Sequence, residues 1–210
     1  LAGRLRDALT RHNPGVSAEA LDEAFRRVLR ADGADAVARN RAFHKMLVDG
    51  VTLEEKRRDG SISGVIVRLV DFDRADNNDW LAVNQFAVTA PTVTGGDSRR
   101  PDVVIFLNGL PLVVLELKNA ANEQATIWDA FNQLQTYKAQ IPQLFTYNVA
   151  LIVSDGLQAR IGSLTADRER FMPWRTTEGE SLAPSRLSQL EVLLTGVFEK
   201  RRFLDLLRHF

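Results

Sequence analysis

Cysteine is absent from the 210-residue chain. That excludes a disulfide framework and any cysteine-based zinc site, and it makes a reducing, cytoplasmic location the expectation. Net charge is absent too: 27 basic residues face 27 acidic ones, so no overall field draws the chain to a polyanion or a membrane surface. No stretch approaches the roughly 18 uninterrupted apolar residues of a membrane span, and the first twenty residues lack an export pattern. The phosphate-binding pattern of Gly, four residues, then Gly-Lys-Ser/Thr is nowhere present, so any nucleotide-driven step is expected outside this stretch. What remains is a chain 45% hydrophobic, ample for a buried core. It opens on Leu1 and stops inside the amphipathic run Phe203 to Phe210, which suggests a piece of a longer protein.

The apolar pattern alternates between helical and strand periods. Ser17 is placed to cap a helix through Arg30, with Ala20, Leu21, Ala24, Phe25 and Val28 at helical spacing. A second helix is expected from about Asp35 to Val48, stopped by Gly50. Val65 to Val70 and Trp80 to Val88 read as strands split by a polar loop, Asp71 to Asp79, followed by strands at Asp102 to Leu107 and Leu112 to Lys118. Ile127, Phe131, Leu134 and Ile141 predict a helix from near Glu123 to before Pro142. Asn148 to Ser154 and Leu157 to Gly162 read as strands, and Arg186 to Phe198 as a helix. The order predicts an α/β fold with a central mixed sheet flanked by helices, divided into a helical segment at 1–50, a core at 51–182 and closing helices at 183–210.

Charge interrupts this apolar background in one informative place. Arg100-Pro101-Asp102-Val103-Val104-Ile105-Phe106 and Leu112-Val113-Val114-Leu115-Glu116-Leu117-Lys118 form a hairpin broken only by a few charged residues. An unpaired buried charge costs several kcal/mol, so such residues need a partner or a task. Asp102 and Glu116 offer the hard oxygens magnesium prefers, and Lys118 offers a cation for an anionic transition state. Strand alternation puts Glu116 and Lys118 on one face. For Asp102 to share it, Asp102 must lie opposite Glu116, which requires a three-residue loop, Asn108 to Leu110, or an equivalent bulge; the Asn108-Gly109 dipeptide favours a two-residue turn that pairs Asp102 with Leu115.

Pro101-Asp102 and Glu116-Leu117-Lys118 resemble the two motifs of the PD-(D/E)xK nuclease superfamily. Together with Asn84-Gln85-Phe86, Asn108-Gly109-Leu110-Pro111-Leu112, Trp128-Asp129-Ala130-Phe131, the stretch from Gln133 to Tyr137, and Ser154-Asp155-Gly156, the chain is similar over its middle half to the amino-terminal end of type I restriction motor subunits. The resemblance implies a restriction-endonuclease-like fold and a magnesium-dependent DNA endonuclease, with manganese as a substitute metal. It implies metal ligation by Asp102 and Glu116, with Lys118 as the third catalytic residue. Gln133 and Tyr137, four apart on one helix face beside the apolar stripe, become phosphate-contacting or site-supporting residues. Double-stranded DNA and the modification and specificity subunits of a type I complex become the partners. ATP would act only through a motor region after Phe210. The alternative is a nuclease-like docking module, without activity, that joins the motor to its partner subunits.

Other features read as bland. Asp71 to Asp79 superficially resembles a calcium loop, but Asp76 and Ala82 stand where that loop needs Gly and Glu. His12, His44 and His209 show no ligand spacing. Lys56-Arg57-Arg58 and Arg99-Arg100 read as solvated charge, and Trp80, Trp128 and Trp174 as packing anchors.

Overall fold

In the computed structural model, residues 1–56, 60–89, 98–119 and 126–209 are described. Helices α1 (Ala2–His12), α2 (Ala18–Leu29) and α3 (Ala36–Asp49) lead into a hairpin, β1 (Val51–Lys56) and β2 (Ile62–Val67). The main sheet then forms from β3 (Trp80–Asn84), β6 (Val103–Leu107), β7 (Leu110–Leu117), β8 (Ala150–Ser154) and β9 (Ala159–Gly162), in that spatial order; β4 (Val88–Thr89) and β5 (Ser98–Arg99) pair separately. All the main-sheet pairings are antiparallel except β7 with β8, which are parallel and joined through α4 (Ile127–Gln140) and α5 (Pro142–Phe145). The chain closes with α6 (Gln189–Val197) and α7 (Lys200–His209). This is the mixed sheet flanked by helices that the sequence pattern predicts. None of the described helices is long and apolar enough to cross a membrane.

The sheet separates two apolar layers. On one side Leu5, Leu9, Phe25, Phe43 and Phe203 pack with Leu107, Leu112, Val113 and Leu115, so the first three helices and the last two share one core with the strands. On the other side Val104, Phe106, Val114, Leu151 and Val153 meet Ile127, Phe131, Leu134 and Ile141 of α4. A strand covered on both faces must be apolar at successive positions, and β7, Leu-Pro-Leu-Val-Val-Leu-Glu-Leu, is that strand.

Local chemistry sets most boundaries. Ser17 and Asp35 cap α2 and α3 through Ala20 N–H and Ala38 N–H, and Gly50 ends α3 at φ 81°. The start of α4 is capped by Thr126 in a reciprocal box with Asp129; the expected start near Glu123 lies outside the described residues, as do Arg57 and Arg58. Several boundaries differ from expectation. The strand predicted at Val65 to Val70 is β2 and ends at Val67, with Leu69 and Val70 buried in the loop beyond. The strand predicted to run unbroken from Trp80 to Val88 stops at Asn84, because Gln85 turns to φ 52°. The closing helix begins at Gln189, where Ser188 accepts from Glu191 N–H.

The β6–β7 hairpin resolves the conflict between turn and register by using both devices. Asn108 and Gly109 make a two-residue turn at φ 52° and 80°, both positive as this turn requires. Pairing then runs Leu107 with Leu110 and Phe106 with Pro111, but Ile105 faces Val113, leaving Leu112 as an inserted bulge residue. Leu112 and Val113 accordingly both enter the same core layer. The turn itself is buried: Asn108, 0% exposed, donates to Leu69 O and Asn78 Oδ1 and accepts from Asp79 N–H. At Gly109 an added Cβ would lie 2.6 Å from Leu1 O and 3.0 Å from Leu5 N. We expect Gly109→Ala to lower stability by on the order of 1–3 kcal/mol, combining left-handed strain with displacement of α1; urea denaturation yielding a midpoint equal to wild type would contradict this.

Candidate active site

Continuing the register one step past Val103–Leu115 sets Asp102 opposite Glu116. By strand alternation both then share the face of Val104 and Val114, the layer that α4 covers. Where the ladder ends, the Asp102 side chain takes over its role: Oδ2 accepts Leu117 N–H at 2.8 Å, while Oδ1 accepts Gln85 Nε2–H at 2.7 Å. Lys118, just past β7, is tied to β8 by its backbone N–H on Ser154 O at 2.7 Å, and its Nζ donates to Glu116 Oε1 at 3.3 Å. The structure therefore brings Asp102, Glu116 and Lys118 together at one end of the sheet.

Glu116 is the anomalous group. It is 4% exposed, and among the described residues its Oε2 has no hydrogen-bond donor. Burial, reinforced by the negative charge of Asp102 and only partly offset by Lys118, pushes its carboxyl up to about 7 from an ordinary 4.5. Two hard carboxylates, one with an oxygen that has no donor among the described residues, form an electron-rich pair on an apolar floor. No third acidic or imidazole side chain among the described residues completes a metal-holding cluster. Magnesium commonly takes one or two carboxylates and fills its remaining positions with water and substrate phosphate, so the donor set fits that ion.

Tyr137 reaches the same place from α4. The expectation that it lies beside the apolar stripe is corrected: it is buried, 6% exposed, and belongs to the stripe with Ala130 and Leu134. Its spacing from those residues is helical, and only the phenol makes it look polar. The hydroxyl points at Arg100 O, 3.4 Å away. Burial first and the Glu116 charge second raise its pKa, while Gln133 hydrogen-bonds it. Gln133 itself is partly exposed. Gln85 drew no individual role from the sequence: it lies within the predicted strand Trp80 to Val88 and in the Asn84-Gln85-Phe86 match, and a contact 17 positions away in the chain is invisible to local pattern.

The remaining candidates lie elsewhere. Asp71 spends its carboxylate on Asp73 N–H, Arg74 N–H and Asn77 Nδ2–H within its own loop. His12 contacts Asn77 and Asn108 beneath α1, and His209 pairs with Asp205. Trp80 packs edge-on against Phe203, and Trp174 donates to Thr176 O. The cavity of about 490 Å³ along Arg160, Trp174 and Gln189 includes none of the five candidate residues.

Comparison with known proteins points one way. The family model described as type I restriction enzyme R protein N terminus matches residues 1–170. The type I restriction enzyme HindI endonuclease subunit of Haemophilus influenzae is 43% identical over 99% of the chain. The putative type I restriction enzyme MjaIXP endonuclease subunit of Methanocaldococcus jannaschii is 33% identical over 100% of it. The chain spans about a fifth of these relatives, 19% and 21% of their lengths.

The Glu116 shift carries a sign. Its folded pKa lies above the ordinary value, so between about 4.5 and 7 the folded state holds the extra proton and stability falls as pH rises. In chelator, wild type should lose melting temperature between pH 5 and pH 8 relative to Glu116→Gln, which carries no proton to lose. Parallel pH profiles for the two proteins would show that Glu116 is not the source.

Proposed function

The chain belongs to the type I restriction enzyme R protein N-terminal family, and on that footing we propose that it is the nuclease domain of an endonuclease subunit, hydrolysing phosphodiester bonds of double-stranded DNA with magnesium. The observation that carries this reading is the buried Glu116 oxygen beside Asp102 that has no donor among the described residues. A carboxylate pair so arranged is stabilised by a cation and strained without one. Asp102 and Glu116 would hold the magnesium, with the Leu117 carbonyl as a further oxygen and manganese as a substitute. When bound, the metal supplies Lewis acidity to the phosphodiester and a lowered pKa to a coordinated water.

The protein's own groups do the remaining work. Lys118, held on Glu116 Oε1, keeps a positive charge at the sheet end, where it can pair with phosphoryl oxygens or orient the attacking water. Tyr137 and Gln133 buttress the strand ends through Arg100 O and provide a polar rim for phosphate or sugar. A net charge of zero suits a domain to which DNA is delivered by other parts of an assembly. In that assembly an ATP-driven motor would lie outside this chain, modification and specificity subunits would read the DNA, and cutting would be independent of sequence at this site.

Plasmid cleavage and ATP hydrolysis by the complete subunit, assembled with its partner subunits, test this. Lys118→Ala should abolish cleavage, by at least about 100-fold for loss of a charge-stabilising group, while ATP hydrolysis persists. Cleavage at the wild-type rate would instead favour a docking module with a nuclease-like fold.

A further inference from the structure

We propose that Gln85 is a positioning residue for the cation site: it fixes the plane of the Asp102 carboxylate with neutral donors, so that orientation is set without cancelling the charge a metal needs. This rests on the reading of Asp102 and Glu116 as the metal-holding pair. Gln85 grips Asp102 twice, by its backbone N–H on Asp102 O at 2.9 Å and by its side-chain Nε2–H on Oδ1 at 2.7 Å. Leu117 N–H holds the other carboxylate oxygen at 2.8 Å. Each oxygen therefore has one fixed, uncharged donor and keeps lone-pair capacity for a second partner. An arginine or lysine in place of Gln85 would hold the carboxylate as firmly but would neutralise it.

The backbone supports a role beyond folding. Among the described residues only Gln85 and Asn108 combine a side chain with positive φ. Asn108 is a residue type that tolerates this region and sits in a turn that demands it, whereas Gln85 is neither. Left-handed backbone in an ordinary residue is unfavourable and persists where the surroundings require it. Gln85 is exposed, and an exposed hydrogen bond returns little stability. What the turn achieves is to end β3 and swing the amide onto Asp102. Groups that orient metal ligands from behind typically change metal affinity by roughly 10- to 100-fold when removed.

Two variants separate this from a structural role. Gln85→Asn retains a side chain that accepts positive φ but is one methylene too short to reach; Gln85→Glu keeps the length but replaces the donor with a repelling carboxylate. Calorimetric titration of the chain with magnesium and with manganese, alongside melting temperatures in chelator, should show at least roughly tenfold weaker binding for both variants, with one cation per chain and melting temperatures at the wild-type value. Wild-type affinity in both variants, while Asp102→Ala abolishes binding, would overturn the role of Gln85 and leave the nuclease reading standing. Absence of binding by wild type would overturn both. A loss of affinity that tracks a fall in melting temperature would mark Gln85 as a fold element and also overturn the proposal.

Discussion

A carboxylate placed on the middle strand of a sheet covered on both faces is expensive, and much of this molecule is arranged around that expense. Glu116 follows a run of residues that are apolar because neither face of β7 meets water. The chain makes the charge tolerable by placing it near the end of the strand, where the hairpin ladder has run out. There Asp102, Lys118 and the phenol of Tyr137 can converge from just ahead of β6, just past β7 and α4. The parallel neighbours β7 and β8 end together, with Leu117 paired to Ser154. The charged group thus sits at the carboxyl ends of adjacent parallel strands, the usual location for ligand chemistry in open α/β sheets.

The two faces of the sheet divide the labour. The layer holding α1 to α3, α6 and α7 is scaffold: large aromatic and aliphatic side chains, with buried asparagines that tie the Asn108 turn to neighbouring backbone. The opposite layer carries Asp102 and Glu116 on the same surface that α4 packs against, with edge-to-face contacts such as Phe131 on Phe171 and Phe86 on Phe106 closing it. Phe86 directly follows Gln85, so the residue that seats the strand end in this layer also anchors the turn that aims the amide at Asp102.

How much of this could be read from the sequence depended on whether the deciding interaction was local. The caps at Ser17 and Asp35 and the stop at Gly50 declare themselves within one helical turn. Asp102, Glu116 and Lys118 stood out because charge in an apolar hairpin is conspicuous at any register. The first strand did not: Val51 and Leu53 are its only buried apolar residues, alternating with Thr52 and Glu54, too short a pattern to register. Nor did α1, whose Leu5, Ala8 and Leu9 stripe is carried by barely three turns that start without a side-chain cap. Tyr137 was misplaced because a hydroxyl outweighed periodicity, and Gln85 was passed over because its partner lies 17 residues on, just ahead of β6.

Leu112 has a bearing on how such a hairpin can change over time. Between Asp102 and Glu116 the parity of the residue count decides which side of the sheet each carboxylate occupies. A single insertion or deletion there would transfer one of them into the scaffold layer while leaving every local propensity intact. Lengthening or shortening this turn is therefore open to descendants of the sequence only in compensated pairs, with one change in the loop answered by another in the strand. The tight turn and the extra leucine form one inherited unit, although both lie apart from the two carboxylates whose faces they decide.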